Sequence, residues 1–395
     1  MAGAILIIRL NNMFAIKTWT ARFLITSLLV SVVWLAGCGR QPEPKSAKPA
    51  PPPHPANDAA LFLAGIPGRP DGPFHQLEQS HSWLQYSRNL NASWSRAEKE
   101  QFAPVDAFQK RELAPVHTKS SFVFYPFSGP DVLYATRFFP DGKIFVLAGL
   151  ERVGSLRNAG DYPADTLDKE LDGWNKALSS IFNRSFFVTS EMDSHFHGKV
   201  ADGLLPMILL LMARSGYTVD GLQFGHVDES GKYIVETQDS RVRHPAVAID
   251  FHKGADTTPR KLYYFCTRLD EPFEKDPSFS RFVKSQGTPD TLVKSASFLL
   301  HWKMCAAIRA QILETSNLIF QDDTGVAFHY FDNPDWNVKL YGEYSRPDRP
   351  FTNEYQNDLA AAFQDPAKVR PLGFSLGYGY GRRPSSMLLA VRVKK

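Results

Sequence analysis

The sequence has few cysteines, and its N-terminal apolar run is short. Three cysteines among 395 residues are too few for the disulfide framework that holds small secreted domains together. Residues 23–34 form an uncharged, largely apolar run, whereas a membrane-spanning helix needs roughly 20 such residues. No repeat of fixed period is visible, which argues against solenoid and propeller architectures.

Motifs that define enzyme classes are also missing. The sequence has no His-Glu-x-x-His pair, no Walker loop, no dinucleotide fingerprint and no Cys-x-x-Cys pair, and these absences exclude only the classes that such motifs define. One literal Gly-x-Ser-x-Gly match contains Ser375. The serine-hydrolase elbow needs an acidic residue and a histidine later in the chain, and none follows Ser375. We therefore predict a glycine-containing strand and turn there.

The expected mature chain has no large net charge. Lysine and arginine total 45 against 41 acidic residues. Three of the basic residues, Arg9, Lys17 and Arg22, lie in an N-terminal segment that we expect to be removed, so the remainder is nearly neutral. A nucleic-acid partner, which a strongly basic composition would indicate, is therefore not expected.

The N-terminal segment has the layout of a secretory signal. Lys17 and Arg22 precede the apolar run and small residues follow it, which is the order of regions in a signal peptide. The segment ends in the motif Leu35-Ala36-Gly37-Cys38. Residues 13–39 therefore resemble the precursor of a bacterial lipoprotein, whose lipobox ends in a cysteine. An ordinary cleaved signal with a chance cysteine is the alternative.

The resemblance implies a location in the cell envelope. In bacterial lipoproteins the cysteine becomes the first mature residue and carries acyl chains, and more than one chain is needed for stable anchoring. The resemblance thus makes Cys38 the lipidation site. Gly39 follows it, and by the family's sorting rule a residue other than aspartate favours the outer membrane. The start is either Met1 or Met13, and Met13 gives a signal of ordinary length.

Three regions follow from this organisation: a signal peptide at residues 1–37, a lipidated, proline-rich tether at 38–57 and a globular domain at 58–395. Residues 39–57 contain seven prolines and few apolar side chains, and this composition favours an extended spacer. The domain is long enough for one large core or for two subdomains. Aromatic residues make up 13% of the chain, which favours sheet structure.

Apolar and β-branched runs separated by turn residues predict an α+β fold with a mainly antiparallel sheet, hairpins and several amphipathic helices. Pro140-Asp141-Gly142 separates two such runs and indicates a hairpin. Strands and helices alternate without a regular βαβ order, so a doubly wound sheet is not expected. The predicted strands cover residues 121–125, 132–136, 143–148, 222–227, 232–237, 246–251, 261–268, 318–321, 326–331, 336–341, 374–378 and 388–393.

Apolar residues spaced by three and four predict the helices. Short helices are expected within residues 74–113, where Ser93 or Ser95 would act as an N-cap. Residues 165–183 predict an amphipathic surface helix, and the almost wholly apolar run 204–212 predicts a buried one. A long helix is expected at 290–316.

One cluster combines metal-binding residue types at alternating positions. Glu191, Asp193, His195 and His197 would share one face of an extended strand. Two imidazoles and two carboxylates in this arrangement can bind zinc or another divalent ion, or act as acid and base. A solvated surface loop is the alternative, and no cofactor is otherwise expected.

The other candidate residues are isolated. With lipid on Cys38, the two remaining cysteines, Cys266 and Cys305, either form a disulfide or lie separately buried. Single histidines at strand positions either converge with Asp250 or Asp322 or are separately hydrogen-bonded; they are His226, His252, His301 and His329.

The sequence as a whole predicts an envelope lipoprotein that is tethered to the outer membrane and faces the periplasm. Because enzyme motifs are missing, we expect binding or assembly, with another envelope protein or a cell-wall component as partner. The alternative function is a hydrolase, with or without a metal ion, that uses the cluster from Glu191 to His197.

Overall fold

The computed structural model describes residues 54–117, 122–163, 165–184, 202–237, 244–347, 349, 351–378 and 385–393. One compact unit spans residues 52–395. Its first helix begins at Pro55, slightly before the predicted boundary at Asp58. Within the described ranges, no helix is both long enough and apolar enough to cross a membrane.

Eleven α-helices lie in the described part of the chain. Two of them continue into short π-helical turns, Glu98–Phe102 and Gln109–Leu113, and the predicted helices at 165–183 and 204–212 are confirmed as α6 and α7. The helices are α1 Pro55–Leu63, α2 His75–Glu78, α3 His81–Ala97, α4 Ala103–Phe108, α5 Val132–Phe138, α6 Leu167–Arg184, α7 Leu205–Arg214, α8 Glu271–Lys275, α9 Ser278–Ser285, α10 Ala306–Thr315 and α11 Asn357–Phe363.

Eleven strands form one mixed sheet in the order β10-β9-β11-β8-β7-β1-β2-β6-β5-β3-β4. The hairpin predicted from residues 222–227 and 232–237 is confirmed, since β3 pairs with β4 in antiparallel fashion. The strands predicted at 246–251 and 261–268 are confirmed as β5 and β6, which form a second antiparallel pair. The strands are β1 Phe122–Tyr125, β2 Ile144–Gly149, β3 Tyr217–Val227, β4 Tyr233–Val235, β5 Ala246–Lys253, β6 Asp256–Cys266, β7 Asp290–Val293, β8 Leu318–Asp322, β9 Trp336–Gly342, β10 Val369–Arg370 and β11 Ser386–Arg392.

The centre of this sheet is parallel, and most of the pairing on either side of it is antiparallel. The central strands β8, β7, β1, β2 and β6 are parallel to one another, and the edge strand β10 is parallel to β9. On one side β5, β3 and β4 continue the sheet in antiparallel order, and on the other β11 lies antiparallel between β8 and β9. Antiparallel pairs are the more extensive, so the predicted α+β class is confirmed. The parallel centre was not predicted.

The parallel centre changes winding direction between β1 and β7. The chain leaves β1 through α5, which packs with Val123 and Tyr125 on one face, and returns to β2. It leaves β7 through α10, which packs with Phe122 and Phe124 on the opposite face, and returns to β8. Neighbouring strands whose crossovers lie on opposite faces define a topological switch point. The carboxyl ends of β1 and β7 therefore border an opening between two diverging connections.

The hairpin predicted around Pro140-Asp141-Gly142 is wrong. Residues 132–136, predicted as a strand, belong to α5, and the turn joins α5 to β2, which is parallel to β1. The Asp131 side chain accepts the Tyr134 N–H at 3.2 Å and caps this helix. An N-cap of this kind stabilises a helix by about 1 kcal/mol. Burial of α5 on the sheet outweighs the β-propensity of its residues.

Four other structural predictions are also wrong. The helix expected at 290–316 is split into β7, two 3₁₀ turns and α10. The hairpin expected at 318–331 is absent, because β8 pairs with β7 and β11 and the following apolar residues form a 3₁₀ helix. Ser93 and Ser95 lie inside α3, whose N-cap is Ser80. The strand expected at 374–378 is an irregular segment.

The two cysteines in the described chain lie on opposite faces of the sheet. Cys266 and Cys305 are both free. The half-buried Cys266 packs with the cluster that contains α5, and Cys305 is buried in the cluster that contains α10. Of the two alternatives, the structure thus has separate thiols. Burial raises the pKa of the Cys305 thiol to about 11, so this cysteine is a poor nucleophile and packs as a small apolar residue.

Candidate functional site

The carboxyl ends of β1, β7 and β8 bring together the residues that we call the switch-point site: 126–131, 294–298, 322–324 and 377–378. In open sheets with parallel strands, ligands bind outside the carboxyl ends of the strands at the switch point. Topology alone therefore directs attention to this edge of the sheet.

Backbone strain is concentrated at this site. Four non-glycine residues in the described chain have positive φ: Phe127 at +58°, Ser295 at +54°, Ser297 at +53° and Phe298 at +57°. The first follows β1, and the other three follow β7. Each such residue costs about 1–2 kcal/mol relative to ordinary backbone. All four therefore border the switch point, and strain of this kind clusters at functional sites.

A buried ion pair joins the β1 side to the β7 side. Lys294 Nζ lies 2.9 Å from Asp131 Oδ2, and each side chain is only 2% exposed. The Tyr125 hydroxyl donates to the same carboxylate oxygen at 2.9 Å. The ammonium also lies 4.7 Å from the centre of the Tyr134 ring, within the range of a cation–π interaction. The pair fixes the loop after β1, the start of α5 and the loop after β7 in one arrangement.

A second buried carboxylate holds the loop after β7. Asp322 Oδ2 accepts the Ser295 N–H at 2.8 Å, and Oδ1 accepts the N–H and the hydroxyl of Thr324 at 3.0 and 2.6 Å. The Thr324 hydroxyl oxygen in turn accepts the Ala296 N–H at 2.7 Å. Burial raises the pKa of the Asp322 carboxyl despite these hydrogen bonds. These contacts keep Ser295 in its strained conformation.

The segment before β11 closes the site. The Tyr378 hydroxyl donates to the Ser295 carbonyl at 3.0 Å and lies 2.7 Å from Ser297 Oγ. Gly377 has φ +69°, and a Cβ there would fall 2.7 Å from Asp322 Oδ2 and 3.4 Å from Ser295 Oγ. Only glycine allows this close approach of the backbone to the carboxylate.

A small cleft begins beside Asp322. It lies between β8, β11 and α11 and has a cavity volume of about 10 Å³. Its polar lining includes Asp322, Asp323 and Gln356, and its apolar lining includes Leu359 and Phe363. This volume is about what a single water molecule needs. The cleft therefore holds a water-sized group next to the buried carboxylate, and a larger ligand requires it to widen.

The Gly-x-Ser-x-Gly match does not form a nucleophile elbow. Its residues lie in the irregular segment between β10 and β11, and Gly373 has φ +85° with open space around it. Ser375 precedes Leu376, whose N–H donates to Ser385 Oγ at 2.7 Å. The motif's last glycine, Gly377, is nevertheless part of the switch-point site.

Several predicted site residues lie outside the described chain. These are the lipidation site Cys38 and the four residues of the candidate metal cluster, Glu191, Asp193, His195 and His197. The corresponding hypotheses remain predictions. Within the described ranges, no group of three or more His, Cys, Asp or Glu side chains has the geometry to hold a metal ion.

Within the described chain the single histidines contact neither Asp250 nor Asp322, although His301 and His329 are near enough to interact electrostatically. Asp250 forms an ion pair with Lys261 at 2.7 Å and not with a histidine. Asp322 belongs to the switch-point site. His226 Nδ1 contacts Glu236 at 2.6 Å, His252 Nδ1 contacts Asp220 at 2.7 Å, His301 Nδ1 lies 3.4 Å from Glu354, and His329 packs on Tyr330 with ring centres 4.2 Å apart.

The sequence contains a weak signal for this site. Short runs that are buried on both faces, such as β1 and β8, are typical of parallel strands, and turn-forming polar residues follow β8 directly. The predicted hairpin at 318–331 and the predicted helix at 290–316 both conflict with this signal. The helix prediction hides the position of Lys294 and Ser295 at the end of a strand.

Comparison with known proteins adds no assignment to this geometry. No protein-family model, no curated protein and no solved structure matches the chain.

Proposed function

We propose that this chain is a lipoprotein of the bacterial outer membrane, anchored through Cys38, and that its periplasm-facing domain binds a small molecule at the switch-point site. The location is supported by the signal layout and by the motif that ends in Cys38. The binding function is supported by one observation above all. All four strained non-glycine residues of the described chain border the same opening in the sheet.

Burial within the site favours a small ligand over a folded partner. Asp131, Lys294 and Asp322 are each no more than 3% exposed. A protein surface cannot reach groups at that depth, whereas a small molecule or a single projecting side group can do so once the segment that closes the site moves. A small fragment of a cell-wall component therefore fits the site better than a folded envelope protein does.

The anchor is tested by replacing Cys38 with serine. We expect the Cys38→Ser protein to lose its association with the membrane fraction, because serine cannot carry the thioether-linked lipid that anchors lipoproteins. The measurement is cell fractionation together with the mass of the N-terminal peptide. Cys266→Ser is the matched control and should fractionate like the parent. A Cys38→Ser protein that stays in the outer membrane, with no acyl mass on the parent, would refute the anchor.

Binding at the switch-point site is tested with two glycine variants. Gly377→Ala places a methyl group against Asp322 and Ser295, whereas Gly373→Ala adds one at similarly positive φ but in open space. The probes are N-acetylglucosamine, N-acetylmuramic acid and phenylacetamide, measured by saturation-transfer NMR on the full-length protein in detergent. We expect at least one probe to bind the parent and Gly373→Ala, and to lose most of its signal with Gly377→Ala.

Comparing probe binding in the parent and the two glycine variants shows whether the probe binds at the switch-point site or elsewhere on the surface. Both variants are first compared with the parent by circular dichroism, so that loss of fold is recognised. If no probe binds the parent, or if a probe binds all three folded proteins equally, the switch-point site is not the binding site.

A further inference from the structure

One buried hydroxyl in the switch-point site makes no hydrogen bond to the described residues. Ser295 Oγ is shielded from solvent and has no partner, whereas Ser297 Oγ is bonded to the Tyr378 hydroxyl. An unsatisfied buried polar group costs about 1–3 kcal/mol, and the positive φ of Ser295 adds about 1–2 kcal/mol. Neither feature stabilises the fold. A residue that combines an unsatisfied buried hydroxyl with a strained backbone is typical of a functional position.

Building on the proposed function, we propose that Ser295 is a nucleophile and that the small molecule is a carboxylic ester whose acyl group Ser295 accepts. Asp322 serves as the general base. This assignment names the substrate class and the reacting atom of the site, and it places catalysis at a serine outside the Gly-x-Ser-x-Gly match.

The position of Ser295 in the fold supports this role. The residue lies two positions beyond the end of β7, a parallel strand, in a turn with positive φ. Serine nucleophiles of sheet enzymes sit on sharp, strained turns after a strand, because the turn projects the hydroxyl at the edge of the sheet. A hydroxyl that has no hydrogen bond to any described residue is also not committed to a structural role.

Two charged residues lie beside Ser295. Asp322 Oδ2 accepts the Ser295 N–H but makes no hydrogen bond to Ser295 Oγ in this conformation, and a Cβ on Gly377 would contact both oxygens. Rotation of the Ser295 side chain brings Oγ to the carboxylate before proton transfer, because a general base acts within hydrogen-bond reach. Burial raises the pKa of Asp322 towards the range in which a general base is most effective near neutral pH. Lys294, the preceding residue, adds a buried positive charge next to the site.

The proposed reaction consumes one ester and one water molecule and releases one alcohol and one carboxylic acid. Asp322 takes the proton of Ser295 Oγ as the Oγ–C bond forms at the ester carbonyl. The tetrahedral intermediate then expels the alcohol oxygen, which receives the proton from Asp322. Water attacks the acyl group in the second half-reaction and gives its proton to Asp322. The C–Oγ bond breaks, the proton returns to Ser295, and the carboxylic acid leaves.

The site must open for an ester to reach Ser295. Gly377 covers the hydroxyl, and the Tyr378 side chain fastens this segment through the Ser295 carbonyl and Ser297 Oγ. Tyr378→Phe removes both of these contacts while keeping the ring. We expect this variant to react faster than the parent.

A fluorophosphonate probe tests the nucleophile on the full-length protein in detergent. We expect the parent to gain the mass of one phosphonyl group, mapped to Ser295 by peptide sequencing. Ser295→Ala should abolish the labelling and should not lower the melting temperature, because the variant removes a buried hydroxyl that has no partner among the described residues. Asp322→Asn should slow labelling by at least about 100-fold, the effect of removing a general base. Ser375→Ala, which removes the serine of the sequence motif, should be labelled like the parent.

The labelling and NMR results together show whether the nucleophile proposal and the binding proposal fail separately. An unlabelled parent, labelling at another residue, or unchanged labelling in Ser295→Ala would overturn the nucleophile. If the NMR probes still bind in a manner sensitive to Gly377→Ala, the small-molecule site survives that result. If Tyr378→Phe reacts no faster, the covering role of the 377–378 segment is wrong.

Discussion

Replacing Lys294 with methionine is expected to lower the free energy of unfolding by about 3–5 kcal/mol, the usual effect of removing one partner from a buried ion pair. Methionine approximates the length of the lysine side chain, so the loss of packing is small. Asp131 keeps the Tyr125 hydroxyl and the Tyr134 N–H as donors. Its carboxylate then lies buried without the opposite charge that now balances it, and this is the source of the destabilisation.

Lys261→Met is the matched control for this prediction. Lys261 Nζ lies 2.7 Å from Asp250, but the two side chains are 33% and 38% exposed. Exposed pairs contribute at most about 1 kcal/mol, so this variant should unfold nearly like the parent. The measurement is urea denaturation of both variants, followed by circular dichroism.

A double variant tests the cause of the effect. Asp131→Asn combined with Lys294→Met removes both charges, and asparagine remains a good N-cap for α5. We expect it to recover much of the stability that Lys294→Met loses. Equal losses in Lys294→Met and Lys261→Met, or no recovery in the double variant, would show that burial of charge does not govern this site.

The sequence predicted correctly those elements whose pattern of apolar and turn residues matches their burial in the folded protein. The helix α6 carries Leu167, Leu171, Trp174 and Leu178 on one stripe, and all four are buried. The hairpin of β3 and β4 is closed by residues 228–231, where Asp228 binds the N–H groups of Ser230 and Lys232. Amphipathic periodicity and turn chemistry are short-range signals, so a single sequence is enough to recognise them.

The switch-point site could not be predicted in the same way. The residues of its four segments are separated by up to hundreds of positions in the chain, and the order of strands in the sheet brings them together. Phe122–Tyr125 and Leu318–Asp322 both look like hairpin strands in the sequence, yet they lie in the parallel centre. Pairing partners are determined by which strands bury each other's faces, and this information is non-local. The positive φ of Ser295 likewise has no signal in its residue type.

Replacing Asp322 with alanine is expected to lower the free energy of unfolding by about 2–4 kcal/mol, because three donors lose their acceptor in a buried site. These are the Ser295 N–H, the Thr324 N–H and the Thr324 hydroxyl. The cavity left by the carboxylate adds to the loss. Urea denaturation measures the change.

The control uses the same local turn in a different environment. Asp256 Oδ1 accepts the N–H and the hydroxyl of Thr258 at 3.1 and 2.6 Å, just as Asp322 does with Thr324. Asp256 is exposed, so water can replace the lost acceptor, and Asp256→Ala should cost less than about 1 kcal/mol. The two Asp-x-Thr turns look alike in the sequence, and only the sheet built over one of them makes its carboxylate indispensable. Similar losses in both variants would contradict this view, since the hydrogen bonds alone would then account for the stability.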